Sequence, residues 1–457
     1  MKAEAYLDWD SALASLVEVL RQNNATLHQV CGSNPIVVLR DWKGQNHLCL
    51  PCSVDAFSKA GLNGLAYSAS AILGPLSAVF KGNILGEFNE KELVDEFVIF
   101  RDELFDPEDI WMSPYLVSLD KAAEPSVLLL DRQDKEGDWL KRAPSQRDQS
   151  IPRAIFFGVK GGVGRSSGLT ALALSLAAKG KRVLVVDADF ESPGVSSSLL
   201  DSNVRPDYGI VDWLTAQSLE YGGLDDLALR RIVETSPLSK LTTEKILVAP
   251  SHGVRTQAYV SKLGRIYRTN PDGMTFAQRL SELVSTLERL HNAEVTLIDS
   301  RAGIDDTAAA VITQLGARVT FLFAVNTQQT WDAYALLFSH LQRHPSLHTE
   351  GDFRTGLRLV SALTPEEASL KGYWASFREA AYQTCANGLY DAIQAGDDTA
   401  RFNFAFEDED APHFPLRITW DEVLRAFDPV REPAQLAPAV LAKVFADFIA
   451  RAERLLE

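Results

Sequence analysis

Residues 154–167 read Ala-Ile-Phe-Phe-Gly-Val-Lys-Gly-Gly-Val-Gly-Arg-Ser-Ser, an apolar run followed by a glycine-rich segment and two serines. The apolar run Ala154 to Phe157 predicts a buried strand, and the two serines open a helix. The backbone N–H groups of a glycine-rich loop between strand and helix can surround phosphate oxygens, with the positive end of the helix dipole behind them. We therefore predict a phosphate-binding loop.

Two residues of this loop depart from the common pattern G-x-x-x-x-G-K-[ST]. Val159 stands at the first glycine position, and Arg165 stands at the lysine position. Lys160 occurs at the front of the loop, where the common pattern has no charge. A hydroxyl directly after the basic residue is where a Mg²⁺ ligand belongs, and Ser166 supplies it.

Strands alternate with helices from residue 153 to residue 457, and this alternation predicts an α/β fold with a doubly wound, mostly parallel sheet. The helix after the loop is predicted to end at Gly180. Further strands are predicted at 182–186, 245–249, 295–298, 319–324 and 357–360. Asp187 and Asp189, together with Asp299, follow two of these strands. Because ligands bind at the carboxyl ends of such strands, we expect these acids to lie beside the loop.

Three motifs together resemble the MinD/ParA-type ATPases, which belong to the SIMIBI class of P-loop NTPases. Lys160 to Ser166 resembles their deviant Walker A loop, K-G-G-x-G-K-[ST]. Asp187-Ala-Asp189 stands where the family has D-x-D, and 297–304 resembles its Walker B strand and switch. The resemblance covers about 153–457 and implies ATP and Mg²⁺ as cofactors.

The resemblance also implies roles for individual residues. Asp189 would orient the attacking water, and Lys160 would reach across an ATP-dependent homodimer to the phosphates of the partner subunit. Mg²⁺ would be held by Ser166, by Asp187 through a water, and by Asp299. The residues implied in phosphate binding are Gly161, Gly162, Val163, Gly164, Arg165, Ser166 and Ser167.

Departures from the family pattern qualify these implications. Arg165 keeps the charge of the usual lysine but is a bulkier, planar fork, so we expect nucleotide binding to survive and hydrolysis to be slow. Arg301 replaces a usual proline, either as a phosphate sensor or as a salt-bridged surface residue. The absence of an [NT]-K-x-D motif favours ATP over GTP, with base contacts expected near Asn326 and Thr364.

Residues 1–130 are predicted to form a smaller α+β interaction domain, and the polar segment 131–152 is predicted to be a linker. The spacing of apolar residues predicts a helix near 12–20, a hairpin over 36–50, a charged helix near 90–103 and a strand over 126–130.

The four cysteines of the 457 residues indicate a reducing compartment rather than a disulfide framework. Cys49 and Cys52, with Cys31 and His47 upstream, leave a zinc site or a dithiol switch open. No second ligand pair follows, so burial of Cys49 in a half-exposed strand is the favoured interpretation.

The formal net charge of −16 argues against a broad nucleic-acid-binding face. A local basic stretch remains as a candidate DNA patch or an ordinary helix face, and it comprises Arg255, Lys262, Arg265 and Arg268 with Tyr259 and Tyr267. Apolar residues over 440–449 predict a C-terminal helix that packs on the sheet rather than on a membrane. With no long apolar run and an acidic N-terminus, a cytoplasmic protein is expected.

These observations lead to one functional hypothesis and two alternatives. The first is a Mg·ATP-binding, slowly hydrolysing dimerisation switch, whose ATP-bound dimer recruits or regulates a protein partner. The N-terminal domain would contact this partner or an effector. The second is an ATP-sensing scaffold with little or no hydrolysis, suggested by Arg165. The third is a DNA-associated, ParA-like positioning ATPase, which the net charge disfavours.

Overall fold

The computed structural model divides into two compact units, Met1–Asp134 and Lys135–Glu457. This boundary lies within the predicted linker, whose role stays a prediction. The residues that the structure describes are 17–18, 20–22, 24–40, 46–53, 98–101, 108–111, 116–120, 125–131, 139, 151–217, 229–267, 270, 273–342, 344, 347, 352–392 and 402–457.

The first unit contains a five-stranded mixed sheet in the order β3-β2-β1-β5-β4, which confirms the predicted α+β class. The predicted hairpin is confirmed, since β1 and β2 pair antiparallel with Val37 opposite Cys49. Residues 17–18 and 20–22 are also helical, and two further short helices lie among the described residues of this unit. The elements are α1 (Asn24–Cys31), β1 (Ile36–Arg40), β2 (Asn46–Leu50), β3 (Val98–Phe100), α2 (Glu108–Trp111), β4 (Val117–Asp120) and β5 (Val127–Asp131).

The charged helix predicted near 90–103 is wrong at its C-terminal end. Residues 98–100 form β3, which pairs in parallel with β2 through Leu48 opposite Val98. The sequence Val-Ile-Phe has the β-branched and aromatic residues that fit a sheet surface, and this preference outweighs the helical spacing of the charges before it. Residues 90–97 lie outside the described part of the chain, as do 12–16 of the predicted first helix.

The cysteines of the first unit are buried in its core. Cys49 on β2 is fully buried and packs with Val37, Leu39 and Leu130. The thiol of Cys31 contacts that of Cys52, and this hydrogen bond together with burial raises the pKa of Cys31. Within the described residues no group of three His, Cys, Asp or Glu is placed to hold a metal ion.

The second unit is built on an eight-stranded sheet in the order β13-β12-β11-β6-β10-β7-β9-β8. Its neighbouring strands are parallel except for β8, which pairs antiparallel with β9, so the predicted doubly wound, mostly parallel sheet is confirmed. The strands are β6 (Arg153–Gly158), β7 (Val183–Ala188), β8 (Glu234–Thr235), β9 (Ile246–Ala249), β10 (Val295–Ser300), β11 (Val319–Ala324), β12 (Leu357–Thr364) and β13 (Leu416–Thr419).

Helices cover both faces of this sheet, as the near-continuous apolar strands require. Along β6, Ile155 and Phe157 face one core, while Ala154 and Phe156 face the other. The helices are α3 (Arg165–Ala178), α4 (Val195–Leu199), α5 (Ile210–Gln217), α6 (Tyr259–Ile266), α7 (Phe276–His291), α8 (Asp306–Gln314), α9 (Gln328–Leu341), α10 (Glu367–Gly388) and α11 (Ala446–Leu456).

The C-terminal helix packs on the sheet as predicted. Phe448 of α11 is fully buried, with its ring centroid 6.2 Å from that of Phe156 and 5.3 Å from that of Phe321. The same face of the sheet is covered by α3, which carries the loop at its N-terminus.

A buried ion pair holds the beginning of β6. Arg153 is 1% exposed, and its Nε and Nη2 donate to the two carboxylate oxygens of Glu288 at 2.8 and 2.7 Å. Its Nη1 donates to the carbonyl of Leu315 at 2.8 Å. Glu288 also accepts a hydrogen bond from Thr296 of β10, so the carboxylate is well compensated. This cluster joins β6 to α7, to β10 and to the end of α8.

The segments that follow β7 and β9 cross with their backbones in contact, and a glycine stands at the crossing in each segment. A Cβ added to Gly209 would lie 2.4 Å from the Cα of His252, and one added to Gly253 would lie 2.4 Å from the backbone nitrogen of Tyr208. Backbone hydrogen bonds join the same segments, including Arg255 to Asp207 at 2.8 Å. Only glycine permits this approach.

Candidate functional site

The glycine-rich loop connects β6 to α3 with its helix N-terminus open. Gly162 and Gly164 have φ of +73° and +83°, a left-handed conformation that favours glycine. Elsewhere in the sheet unit, α7, α8 and α9 begin with a side chain that caps the first turn. No side chain caps α3, whose N-cap is Gly164. Its first backbone N–H groups are therefore available to an anion.

Two carboxylates and a hydroxyl meet beside this helix. Asp187 near the end of β7 and Asp299 near the end of β10 are paired residues on adjacent strands, and both are buried. Ser166 in the first turn of α3 donates its hydroxyl to Oδ2 of Asp299 at 2.9 Å. Oδ2 of Asp187 accepts the backbone N–H of Ser196 at 3.1 Å. The predicted convergence of loop and acids is thus present in the structure.

The electrostatics of this group fit a divalent cation. Burial, with repulsion from Asp299, raises the pKa of Asp187 to about 7. Burial raises the pKa of Asp299 to about 6, although Arg165 and Ser166 oppose the shift. Oδ1 of each carboxylate is buried and accepts no hydrogen bond from the described residues. Magnesium prefers such oxygen ligands, so Ser166, Asp187 and Asp299 form a suitable donor set.

Asp189 and Arg165 form a buried ion pair that sequence reasoning did not anticipate. Nη2 of Arg165 lies 3.1 Å from Oδ2 of Asp189, and both side chains are less than one-tenth exposed. Nη1 of Arg165 donates to the backbone carbonyl of Ser300. The backbone N–H of Ser192 donates to Oδ1 of Asp189 at 3.2 Å. Burial raises the pKa of Asp189, while Arg165 opposes that shift.

Lys160 and Arg301, the two other basic residues of the motifs, differ in their contacts. Lys160 is half-buried, and its amine makes neither an ion pair nor a hydrogen bond with the part of the chain that the structure describes. Arg301 pairs with Glu191 at 2.8 Å and with Asp305 at 3.1 Å. These pairs favour the salt-bridged interpretation of Arg301 over that of a phosphate sensor.

The predicted base-contact residues lie at the same sheet edge but are engaged internally. Asn326, which follows β11, donates its amide to Ser376 at 3.1 Å and accepts the indole N–H of Trp331 at 2.9 Å. Thr364 ends β12, is fully buried and donates to the carbonyl of Ser361 at 2.9 Å. Their role in base recognition stays a prediction.

The basic stretch is largely neutralised by acidic neighbours. Arg255 pairs with Asp207 at 3.2 Å, and Lys262 pairs with Asp212 at 2.5 Å. The hydroxyl of Tyr259 donates to the carbonyl of Phe190 at 2.6 Å, so this ring holds α6 against the site. Arg265 is exposed, and Arg268 lies outside the described residues. These pairs favour an ordinary helix face over a DNA patch.

Sequence reasoning missed the residues that hold the carboxylates in place. Ser192 and Ser196 act through backbone N–H groups, which carry no side-chain signal. Ser251 donates its hydroxyl to the carbonyl of Asp187 at 2.8 Å, and Glu191 accepts from Tyr267. Ser192 and Ser196 lie close in sequence to the acids that they bond, but a backbone donor leaves no residue-type signal. The contacts of Ser251 and Tyr267 join segments that are 64 and 76 residues apart, so no local motif marks them.

Comparison with known proteins gives a family for the central part of the chain. Residues 154–344 match the family described as "CbiA: CobQ/CobB/MinD/ParA nucleotide binding domain". No curated protein matches the chain. In the described residues no helix is both long and apolar enough to cross a membrane.

Solved structures that match this chain at low sequence identity include two ATPases and a septum site-determining protein. A ParA family ATPase from Chlorobium tepidum is 15% identical, with 66% of this chain and 99% of that chain covered at a TM-score of 0.42. The cell division ATPase MinD from Pyrococcus furiosus is 16% identical, with 66% and 99% covered at 0.41. MinD from Pyrococcus horikoshii, solved with Mg-ADP, is 16% identical, with 67% and 96% covered at 0.41.

The family match begins within β6 and includes the glycine-rich loop, both acidic motifs and the strands that carry them. The resemblance inferred from the three motifs is therefore confirmed. Residues 154–344 thus form a nucleotide-binding domain of the CobQ/CobB/MinD/ParA type.

Proposed function

We propose that this chain is a Mg·ATP-dependent dimerisation switch that hydrolyses ATP slowly and recruits a protein partner through its first unit. One observation carries the proposal: Ser166, Asp187 and Asp299 meet beside an uncapped helix N-terminus, with two buried carboxylate oxygens that accept no hydrogen bond from the described residues. An anion and a divalent cation together satisfy this arrangement, and Mg·ATP supplies both.

In this proposal the chain binds the phosphates through the backbone of Gly161 to Ser167 and the guanidinium of Arg165. Bound Mg²⁺ would neutralise charge on the phosphates. Ser166 and Asp299 would hold the metal, and Asp187 would hold it through a water. Asp189 orients the attacking water, while Lys160 of the partner subunit stabilises the charge that develops on the transferred group.

Two features of the sheet edge support a dimer. The amine of Lys160 has no partner among the described residues, as expected of a cation that acts on a second subunit. Exposed apolar side chains also occur in the segments that follow three neighbouring strands, β10, β7 and β9. They are Val204, Tyr208, Val254, Val260 and Ile304. A second copy closing over the site would remove them from water.

A specific observation favours the second candidate, an ATP-sensing scaffold with little hydrolysis. The ion pair with Arg165 occupies one carboxylate oxygen of Asp189, and Ser192 occupies the other. A carboxylate held in this way has fewer acceptor sites left to orient a water. The two candidates therefore differ in whether Arg165 leaves Asp189 when ATP binds.

Light-scattering mass and phosphate release with Mg·ATP test the proposal. We expect wild type to dimerise with ATP and Asp189→Ala to accumulate as the dimer. Lys160→Ala should bind ATP but release phosphate about 100-fold more slowly, by analogy with the loss of one transition-state donor. Lys240→Ala is the matched control, because Lys240 is exposed on the 3₁₀ helix that precedes β9, at the opposite edge of the sheet.

Each part of the proposal has its own contradicting result. A wild-type protein that stays monomeric with Mg·ATP would exclude the dimerisation switch. A dimer that forms with ATP but releases no phosphate would favour the sensing scaffold. Phosphate release that is unchanged in both Lys160→Ala and Asp189→Ala would refute the catalytic roles of these residues.

A further inference from the structure

Arg165 joins the helix that follows the loop to the ends of two strands. Its guanidinium is 8% exposed. One of its terminal nitrogens pairs with Asp189, which follows β7, and the other donates to the carbonyl of Ser300, the last residue of β10. A hydrogen bond between ionised groups in a buried site is among the stronger polar interactions of a protein.

We propose that Arg165 is a positioning residue that holds Asp189 until a phosphate arrives, so that phosphate binding and the release of Asp189 are one exchange. The inference rests on the proposed function, because it takes the loop to be the phosphate site. Bidentate binding of a phosphate through the two terminal nitrogens would compete with their present bonds to Asp189 and Ser300. A guanidinium has five N–H donors, and in this proposal the fork turns from these two acceptors to the phosphate rather than dividing its donors between them.

The contact of Ser192 decides what Asp189 can do after the exchange. Its backbone N–H bonds Oδ1 of Asp189, while Arg165 bonds Oδ2. When the guanidinium moves to a phosphate, Oδ1 stays fixed and Oδ2 becomes open. The carboxylate then keeps its orientation and gains one acceptor atom for a water. Asp189 is thereby made available only when nucleotide is bound.

The same exchange also removes a contact that holds the segment after β10. Ser300 is followed by Arg301, which pairs with Glu191 and with Asp305 at the N-cap of α8. Loss of the bond from Arg165 to Ser300 removes one restraint on this segment. Arg165 is thus the one described side chain that bonds both acceptors, the carboxylate after β7 and the carbonyl that ends β10.

The Arg165→Lys variant distinguishes phosphate binding by this side chain from its bonds to Asp189 and Ser300. Its single ammonium keeps the charge for phosphate but lacks the planar fork that spans Asp189 and Ser300. We therefore expect Asp189 to compete strongly with phosphate for the side chain of Arg165, and weakly for the ammonium group of the Arg165→Lys variant. This difference makes Arg165→Lys the informative background for a double-mutant cycle.

The experiment measures equilibrium binding of a fluorescent, non-hydrolysable ATP analogue with Mg²⁺ to the full chain. Asp189→Asn should tighten binding about tenfold when residue 165 is arginine, because the competing ion pair is lost. In the Arg165→Lys background the same change should tighten binding by no more than about twofold. Thermal unfolding without nucleotide checks that each variant is folded, and Arg165→Gln replaces the lysine variant in the cycle if that variant does not fold.

Glu191→Gln is the matched control. It removes one negative charge from the same segment, and Glu191 bonds Arg301 and Tyr267 rather than Arg165. Its effect on binding should be equal in the two backgrounds.

Two results would overturn the inference and are distinguishable from each other. If Asp189→Asn tightens binding equally in both backgrounds, general repulsion between the carboxylate and the phosphates explains the effect, and only the exchange is refuted. If wild type binds no analogue, the proposed function fails and the exchange fails with it.

Discussion

At the scale of single residues, the paired carboxylates of β7 and β10 make the stability of the metal-free protein depend on pH. The pKa of Asp187 is raised to about 7 and that of Asp299 to about 6, from an ordinary value of 3.8. The folded state therefore keeps protons that the unfolded chain has already lost between about pH 4 and pH 7. The contribution of these two carboxylates to the free energy of unfolding therefore falls as pH rises through this window.

We predict that urea unfolding in EDTA shows lower stability at about pH 8 than at about pH 5. Asp187→Asn should make this fall shallower, because the amide carries no charge at either pH. Saturating Mg·ADP should also reduce the fall, since a bound cation stabilises the ionised carboxylates. A variant whose stability falls as steeply as that of wild type would show that Asp187 is not the group responsible.

Residue types predicted the members of the site but not all of their contacts. Glycines, a hydroxyl and acids at strand ends are local signals, and Ser166, Asp187 and Asp299 do meet. Arg165 was expected on phosphate, whereas its guanidinium bonds Asp189 and Ser300. The rotamer of a long side chain depends on acceptors from distant segments, and single-sequence patterns do not contain that information.

At the scale of elements, the glycine crossing between the segments after β7 and β9 gives a sharp prediction. Gly209→Ala and Gly253→Ala should each lower the free energy of unfolding by at least about 2 kcal/mol, because the new methyl group would overlap backbone atoms. Gly264→Ala is the control, since its added Cβ on α6 meets nothing within 4 Å. It should stabilise by about 0.5–1 kcal/mol.

Urea unfolding measured for the three variants at one pH compares them directly. Equal stabilities for Gly209→Ala and Gly264→Ala would contradict the close crossing. Because the crossing supports Ser251, whose hydroxyl bonds the carbonyl of Asp187, the destabilised variants should also bind Mg·ADP more weakly.

Elements buried on both faces were predicted best. The predicted strands that became β6, β7, β9, β10 and β11 end within about two residues of the observed ends, because continuous apolar runs between turns leave few alternatives. The two-residue strand β8 was not predicted. The helix predicted near 90–103 is wrong at residues 98–100, which form β3 and pair with β2. A three-residue strand has too little pattern to be separated from a neighbouring helix, and its partner strand lies about fifty residues earlier in the chain.

For the whole molecule, the exposed apolar side chains in the segments after β7, β9 and β10 predict the surface through which two copies would associate. Val260 on α6 is 81% exposed. If a second copy covers it, Val260→Asp should weaken the Mg·ATP-dependent dimer about tenfold or more, because a charge is costly to bury without a partner. Nucleotide binding to the monomer should not change.

Leu336→Asp controls for the added charge. Leu336 is 71% exposed, but it lies on α9 rather than in the segments after β7, β9 and β10. Analytical ultracentrifugation with Mg·ATP should find this variant as dimeric as wild type. If both variants dimerise like wild type, the dimer interface does not include Val260.

The ion pair of Arg153 with Glu288 has a mechanical consequence. It fastens the first residue of β6 to α7, to β10 and to the end of α8, while the last residue of β6 leads into the nucleotide loop. Because β6 is held at its first residue and hydrogen-bonded to a strand on each side, we expect it to resist sliding along its neighbours. We therefore expect any movement on nucleotide binding to be confined to the short segments that hold Asp189, Glu191 and Arg301.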